Sequence, residues 1–248
     1  MPFSRSADIV FVLDISASMR PCIEGIKTQI GAFVETFRRL DQITWDLRLG
    51  LLAHQAGVSD ANSIVVRTQT LASQGGLQLL YGTDASGLFT RDVEAFRHVL
   101  AQLAVEGDEA MLLALDCAMD FPWRADVGCH RVVVMMTDEP IEDGMMLAES
   151  RAMIGDIIKK LIDLRISLYV LGPDSPLLDA LSAAPHSEWV VVDGHTGLRD
   201  IDFHKVLKAI AQSISTSAAS QQAPARPRRA LFGQDQWGPC NKYTFSGR

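Results

Sequence analysis

The chain has 248 residues, 48% hydrophobic and 21% charged, ordinary globular proportions with enough apolar material for a sizeable core. Thirty acids against 23 bases give a net charge of −7, which argues against a general nucleic-acid or membrane-surface binder. The charge is uneven. Residues 215–248 carry Arg226, Arg228, Arg229, Lys242 and Arg248 against Asp235 alone, so an acidic body, residues 1–214, precedes a basic tail. Cys22, Cys117, Cys129 and Cys240 form no C-x-x-C pair and no zinc spacing, and scattered thiols suit a reducing compartment. The first apolar run, Ile9–Leu13, is too short for a signal peptide or a membrane span. A cytoplasmic protein is the expectation.

In chain order, "ADIVFVLD" is a β-branched apolar run, the pattern of a strand buried on both faces. "CIEGIKTQIGAFVETFRRL" places Ile23, Ile26, Ile30, Phe33, Val34 and Phe37 at helical spacing. "WDLRLGLLAH" and "SIVVRTQTL" read as two strands joined by a polar turn around Ser59–Asn62, and the Gly-rich stretch 72–91 as irregular with a small hairpin. "RDVEAFRHVLAQL" and "AMLLALDCAMD" predict helices, and "HRVVVMMTD" a second strongly buried strand. Then come the helix "LAESRAMIGDIIKKLIDL", the strand "RISLYVLG" and a helix capped by Ser175 with Pro176 in its first turn. The strand "EWVVVD" and the helix "DFHKVLKAIAQSI" close the pattern. Alternating strands and helices predict an α/β fold: a doubly wound, mainly parallel central sheet with helices on both faces. Composition divides the chain into one domain, 1–214, and a flexible basic, aromatic-containing tail, 215–248.

In such a sheet, ligands bind beyond the carboxyl ends of the strands. Two of the most apolar strands end in oxygen donors: Asp14-x-Ser16-x-Ser18 after the first, Thr137-Asp138 after "VVVMM". No basic residue stands among them. A hard cation such as Mg²⁺ takes oxygen ligands and keeps several waters, so hydroxyls and carboxylates at this spacing point to a divalent-metal site.

The pattern resembles a von Willebrand factor A (VWA) domain with a metal-ion-dependent adhesion site, of the intracellular bacterial type. In that family D-x-S-x-S follows the first strand, here Asp14, Ser16 and Ser18, and an Asp in a "TD" context ends a later strand, here Asp138. Between them the family carries a G-G-T type loop before a helix containing "AL". Here "EGDEAMLLALDCAM" supplies the helix, with Glu109 at the expected Thr position and Asp108 before it. The likeness covers roughly residues 7–213. It implies Mg²⁺ or Mn²⁺ held by Asp14, Ser16, Ser18 and Asp138, with Asp108 or Glu109 beside it. It further implies a non-enzymatic interaction module that binds the Asp or Glu of a partner protein. The implied partner types are an AAA-type ATPase, a kinase or a protease of a bacterial stress or defence system, with no nucleic acid and no membrane. An acid at 108 or 109 adds negative charge, which strengthens cation binding and weakens the ion's pull on a partner acid; Glu109 could itself fill the open position. Glu139, Glu142 and Asp143 make the rim acidic.

Ordinary structural roles compete at each position. Asp14, Ser16, Ser18 and Asp138 could be helix caps, and Asp108 and Glu109 are favourable in a helix's first turn. The six histidines show no ligand spacing and read as surface or packing residues, "DGHTG" as a turn, and the pairs Met135-Met136 and Met145-Met146 as packing. The alternative function is a Mg²⁺-dependent phosphohydrolase using Asp14 as nucleophile, against which Ser16 stands where a second Asp is needed. In the tail, Leu231, Phe232, Trp237, Tyr243 and Phe245 among the bases suggest either an unanchored end or a docking segment.

Overall fold

The computed structural model describes residues 4–39, 44–58, 64–71, 87–105, 110–141, 147–182, 184, 186–192, 198 and 201–220. Among the described residues, seven strands form one sheet: β1 (Ser4–Asp14), β2 (Thr44–Val58), β3 (Ile64–Thr70), β4 (Phe89–Thr90), β5 (Cys129–Met136), β6 (Ile166–Pro173) and β7 (Ser187–Val192). The helices are α1 (Arg20–Arg39), α2 (Val93–Gln102), α3 (Met111–Met119), α4 (Leu147–Asp163), α5 (Pro176–Ser182) and α6 (Phe203–Ser220).

The sheet order is β3-β2-β1-β5-β6-β7, with the two-residue β4 also paired to β2. The pairs β1–β2, β1–β5, β5–β6 and β6–β7 are parallel; β3 and β4 run antiparallel to β2. The predicted doubly wound α/β architecture is therefore the observed one. The chain leaves β1 to build β2 on one side and later returns to place β5 on the other, so the order reverses at β1. That reversal creates a crevice at the carboxyl ends of β1 and β5.

Alternation along β1 explains why it reads as a continuous apolar run. Ile9, Phe11 and Leu13 enter one core with the stripe Ile23, Ile26, Ile30, Phe33 and Phe37 of α1, Phe96 of α2 and Ile210 of α6. Val10 and Val12 enter the other with Leu115 of α3, Ile157 of α4 and Leu178 of α5. Successive side chains face opposite sides of a strand, and both faces here are covered. Gly25 lets α1 and α6 approach closely, because a Cβ there would overlap the Phe203 ring.

At the amino ends of the strands lies a polar cluster. Asp8 is fully buried yet accepts from Arg48 Nε at 2.8 Å and Nη2 at 2.6 Å, and from Arg124 Nε at 2.7 Å and its backbone N–H at 2.8 Å. Burial alone would raise the Asp8 carboxyl, but the bonds from Arg48 and Arg124 outweigh it and hold the group below its ordinary value. The cluster ties β1, β2 and the segment before β5 together.

Two expectations change in detail. The last helix continues to Ser220, beyond the compositional break at 214, and buries Ser215. Of the stretch 72–91, residues 72–86, and with them the expected small hairpin, lie outside the described residues, while Phe89–Thr90 forms a short strand on β2. The turn at 59–62, "DGHTG" at 193–197, Met145-Met146 and all of 221–248 also lie outside them. Among the described residues, no helix is long and apolar enough to cross a membrane.

Candidate functional site

Asp14 is the last residue of β1, and Ser16 and Ser18 lie in the short turn leading into α1, which includes a 3₁₀ segment at Ala17–Met19. Thr137 follows β5 and is anchored by its N–H donating to Leu171 O of β6 at 3.0 Å. Gly172, next on β6, makes room for it: a Cβ there would sit 3.3 Å from Thr137 Cγ2 and 2.9 Å from Leu178 Cδ1. These contacts bring the two oxygen-bearing segments together at the crevice between β1 and β5.

Asp14 Oδ1 accepts from the Ser16 N–H at 2.7 Å, and Oδ2 meets Ser16 Oγ at 3.1 Å and Thr137 Oγ1 at 3.4 Å. Ser16 Oγ lies 3.0 Å from Ser18 Oγ, and Ser18 Oγ donates to Asp138 Oδ1 at 3.0 Å. The result is a continuous chain Asp14–Ser16–Ser18–Asp138 joining residues far apart in sequence. The structure therefore gathers the four proposed ligands that it describes. Asp108 and Glu109 lie outside the described residues, as do Glu142 and Asp143.

The capping alternative loses ground at Ser16. Ser16 is the N-cap of the 3₁₀ segment, but its side chain makes no capping hydrogen bond; it faces Asp14 and Ser18. Asp138 accepts from Ser18 Oγ at the crevice.

A proton count shows what this chain lacks. Three contacts link four side-chain oxygens, and the two hydroxyls bring one proton each. With both carboxylates ionised, the hydroxyls each donate outward and one contact is left without a proton. A proton on a carboxylate or an added cation would make up the difference. The Asp14 carboxyl is itself shifted. Burial, joined by the negative charges of Asp138 and Glu139, pushes it up to about 7 against the bonds from Ser16.

Among the described residues, no three His, Cys, Asp or Glu side chains gather closely enough to form a metal-binding group of those types alone. What gathers is two carboxylates and the hydroxyls of Ser16, Ser18 and Thr137. All are hard oxygen donors, suited to Mg²⁺ or Mn²⁺ and poorly to softer ions. Cys22 lies beneath, its Sγ 3.9 Å from Met136 Sδ, and burial holds its thiol well above the ordinary value. It is an inert packing group and no competing ligand.

Two residues at this end of the sheet escaped the motif reading. Thr137 was visible only as the partner of Asp138. His54 ends no motif and has no ligand spacing, yet it is fully buried beside Asp14, its register partner on β2. Burial pushes its ring down to about 4, so it is neutral.

No family model matches the sequence, and no curated protein matches it. Among solved structures, the fold is similar to that of proximal thread matrix protein 1 from the mussel byssus. That match has a TM-score of 0.53 and 11% identity, covers 86% of this chain and spans 49% of the length of that one. At that identity the likeness is one of fold alone.

Proposed function

We propose that this chain is a metal-dependent protein-interaction module of the von Willebrand factor A type. Asp14, Ser16, Ser18 and Asp138 would hold a Mg²⁺ or Mn²⁺ ion at the carboxyl ends of β1 and β5, with Asp108 or Glu109 before α3 as a further ligand. When bound, such an ion supplies positive charge and an open position for the carboxylate of a partner's Asp or Glu. The partner types that follow from the family resemblance are an AAA-type ATPase, a kinase or a protease of a bacterial stress or defence system. Glu139 adds negative charge close to Asp14, so a partner acid set among basic or mixed neighbours suits the rim better than a uniformly acidic one.

The observation that carries this reading is the proton-deficient chain Asp14–Ser16–Ser18–Asp138, built only of oxygen donors. No catalytic role is assigned. As a phosphohydrolase nucleophile Asp14 would be poorly placed, since it is fully buried and both its oxygens are engaged by Ser16.

Ser18→Ala tests the reading. It removes one hydroxyl from a half-buried turn position, and the circular dichroism should stay unchanged. Titration calorimetry with MgCl₂ or MnCl₂ should show binding to the wild type and none to the variant. Wild-type affinity in Ser18→Ala, or no binding to either protein, would contradict it.

A further inference from the structure

His54 is fully buried, and among the described residues neither Nδ1 nor Nε2 has a hydrogen-bond partner. Leaving a buried polar group unsatisfied costs stability, and native structures carry few such groups without a use for them. Its placement is informative. On β1 and β2 the register pairs Val12 with Leu52, Leu13 with Ala53 and Asp14 with His54. Val12 and Leu52 belong to the core on the α3 side, whereas Leu13 and Ala53 belong to the opposite core. By strand alternation, Asp14 and His54 therefore leave the sheet together on the α3 side. Leu13 pairs with Met136 of β5, so Thr137 comes next on the same side. It confirms the placement by reaching Asp14 Oδ2.

Level with the carboxyl ends of β1 and β5, the sheet thus presents His54 (within β2), Asp14 and Thr137 as a row of three buried side chains, all at 0% exposure. On the β5 side, Asp14 is flanked by a hydroxyl that contacts it. On the β2 side the neighbour is an imidazole with an unused donor and an unused acceptor. The Ile15 N–H donates to His54 O at 3.2 Å, which fixes the β2 backbone against the turn bearing the serines.

We infer that His54 is a positioning residue of the cation site, whose unprotonated ring nitrogen accepts a hydrogen bond from a water of the bound ion's hydration shell on the β2 side of Asp14. The inference rests on the metal-binding reading given above. Mg²⁺ dehydrates reluctantly and keeps several waters. Waters bound to a divalent cation are strong donors that need acceptors, and a neutral imidazole supplies one where a lysine or a charged histidine would repel the ion. Direct ligation is not the role assigned, because His54 forms no metal-binding group with Asp14 and Asp138. Groups that orient a metal's ligands from the next layer out typically contribute 10–100-fold in affinity.

The test compares wild type, His54→Phe and His54→Gln by Mg²⁺ and Mn²⁺ calorimetry and by thermal melting in EDTA. His54→Phe removes an unsatisfied polar group, so its metal-free melting temperature should equal or exceed that of the wild type. Its metal affinity should fall about tenfold or more, and His54→Gln, which keeps an acceptor, should recover part of that loss. A residue that merely fills space would leave affinity unmoved. A second measurement needs no variant: ¹⁵N spectra of the imidazole nitrogens during Mg²⁺ addition should show the His54 acceptor nitrogen shifting as it takes up a hydrogen bond. Wild type that binds the ion while His54→Phe binds equally well and the His54 nitrogens stay unmoved would overturn this inference alone. Wild type that binds no ion would overturn the metal reading and this inference with it.

Discussion

Asp14→Asn offers a quantitative test of the site's electrostatics. The amide mimics the protonated acid: its oxygen can still accept from the Ser16 N–H, and its NH₂ can donate to Ser16 Oγ, supplying the proton that the oxygen chain lacks. In the wild type, the Asp14 carboxyl rises from an ordinary 3.8 to about 7 on folding. A group raised in this way stabilises the folded state fully below the unfolded value, and that stability is lost as pH climbs through the folded value. At about 1.4 kcal/mol per pH unit, the gap amounts to about 4 kcal/mol. Metal-free wild type and Asp14→Asn should therefore be of similar stability near pH 4. The variant should draw ahead through pH 5 and 6 and lead by about 4 kcal/mol at pH 8. Asp8 and Asp46 are held low and contribute with the opposite sign, as stability present above their unfolded values and lost in acid. Both are common to the two proteins and cancel in the difference. Urea unfolding in EDTA at each pH measures it. Excess Mg²⁺ at 100 times Kd should restore about 2.7 kcal/mol to the wild type and little to the variant. A difference that is flat with pH, or a variant less stable at pH 8, would refute the reasoning.

Asp8→Ala should destabilise the fold by about 3–5 kcal/mol, because it leaves the Arg48 and Arg124 guanidiniums without this buried counter-charge. The cluster sits at the amino ends of the strands, so Mg²⁺ affinity measured under native conditions should not change. Gly25→Ala should cost about 1–3 kcal/mol in urea unfolding, since the added methyl drives the Phe203 ring out of its place between α1 and α6.

Sequence periodicity carried most of the element pattern. The stripe from Ile23 to Phe37 has the spacing of one helix face, and the β-branched run Ile9–Leu13, with an Asp at either end, has the pattern of a strand covered on both sides. Strand order was not legible, because nothing local in β5 says that it will lie on the side of β1 opposite β2. Only the order β3-β2-β1-β5-β6-β7 turns two separate acidic strand ends into one crevice. The Asp14, Ser16, Ser18 and Asp138 grouping was legible because each oxygen donor stands at or just after the end of a strongly apolar strand. The Asp8–Arg48–Arg124 cluster was not, although an Asp in a buried strand is itself a signal that a cation must lie opposite. His54 has no ligand spacing along the chain, because its neighbours are set by register across strands. Composition placed a break at 214 because Ser and Ala dominate from there, yet these are residues a helix tolerates, and α6 continues to Ser220.

The most direct test of the central claim is a crystal structure of the protein grown with MnCl₂, with data collected at a wavelength where manganese scatters anomalously. The expected result is one strong anomalous peak within coordination distance of Ser16 Oγ and Ser18 Oγ, between Asp14 and Asp138. A peak elsewhere, or no peak there in crystals that diffract well enough to show the serine side chains, would contradict it.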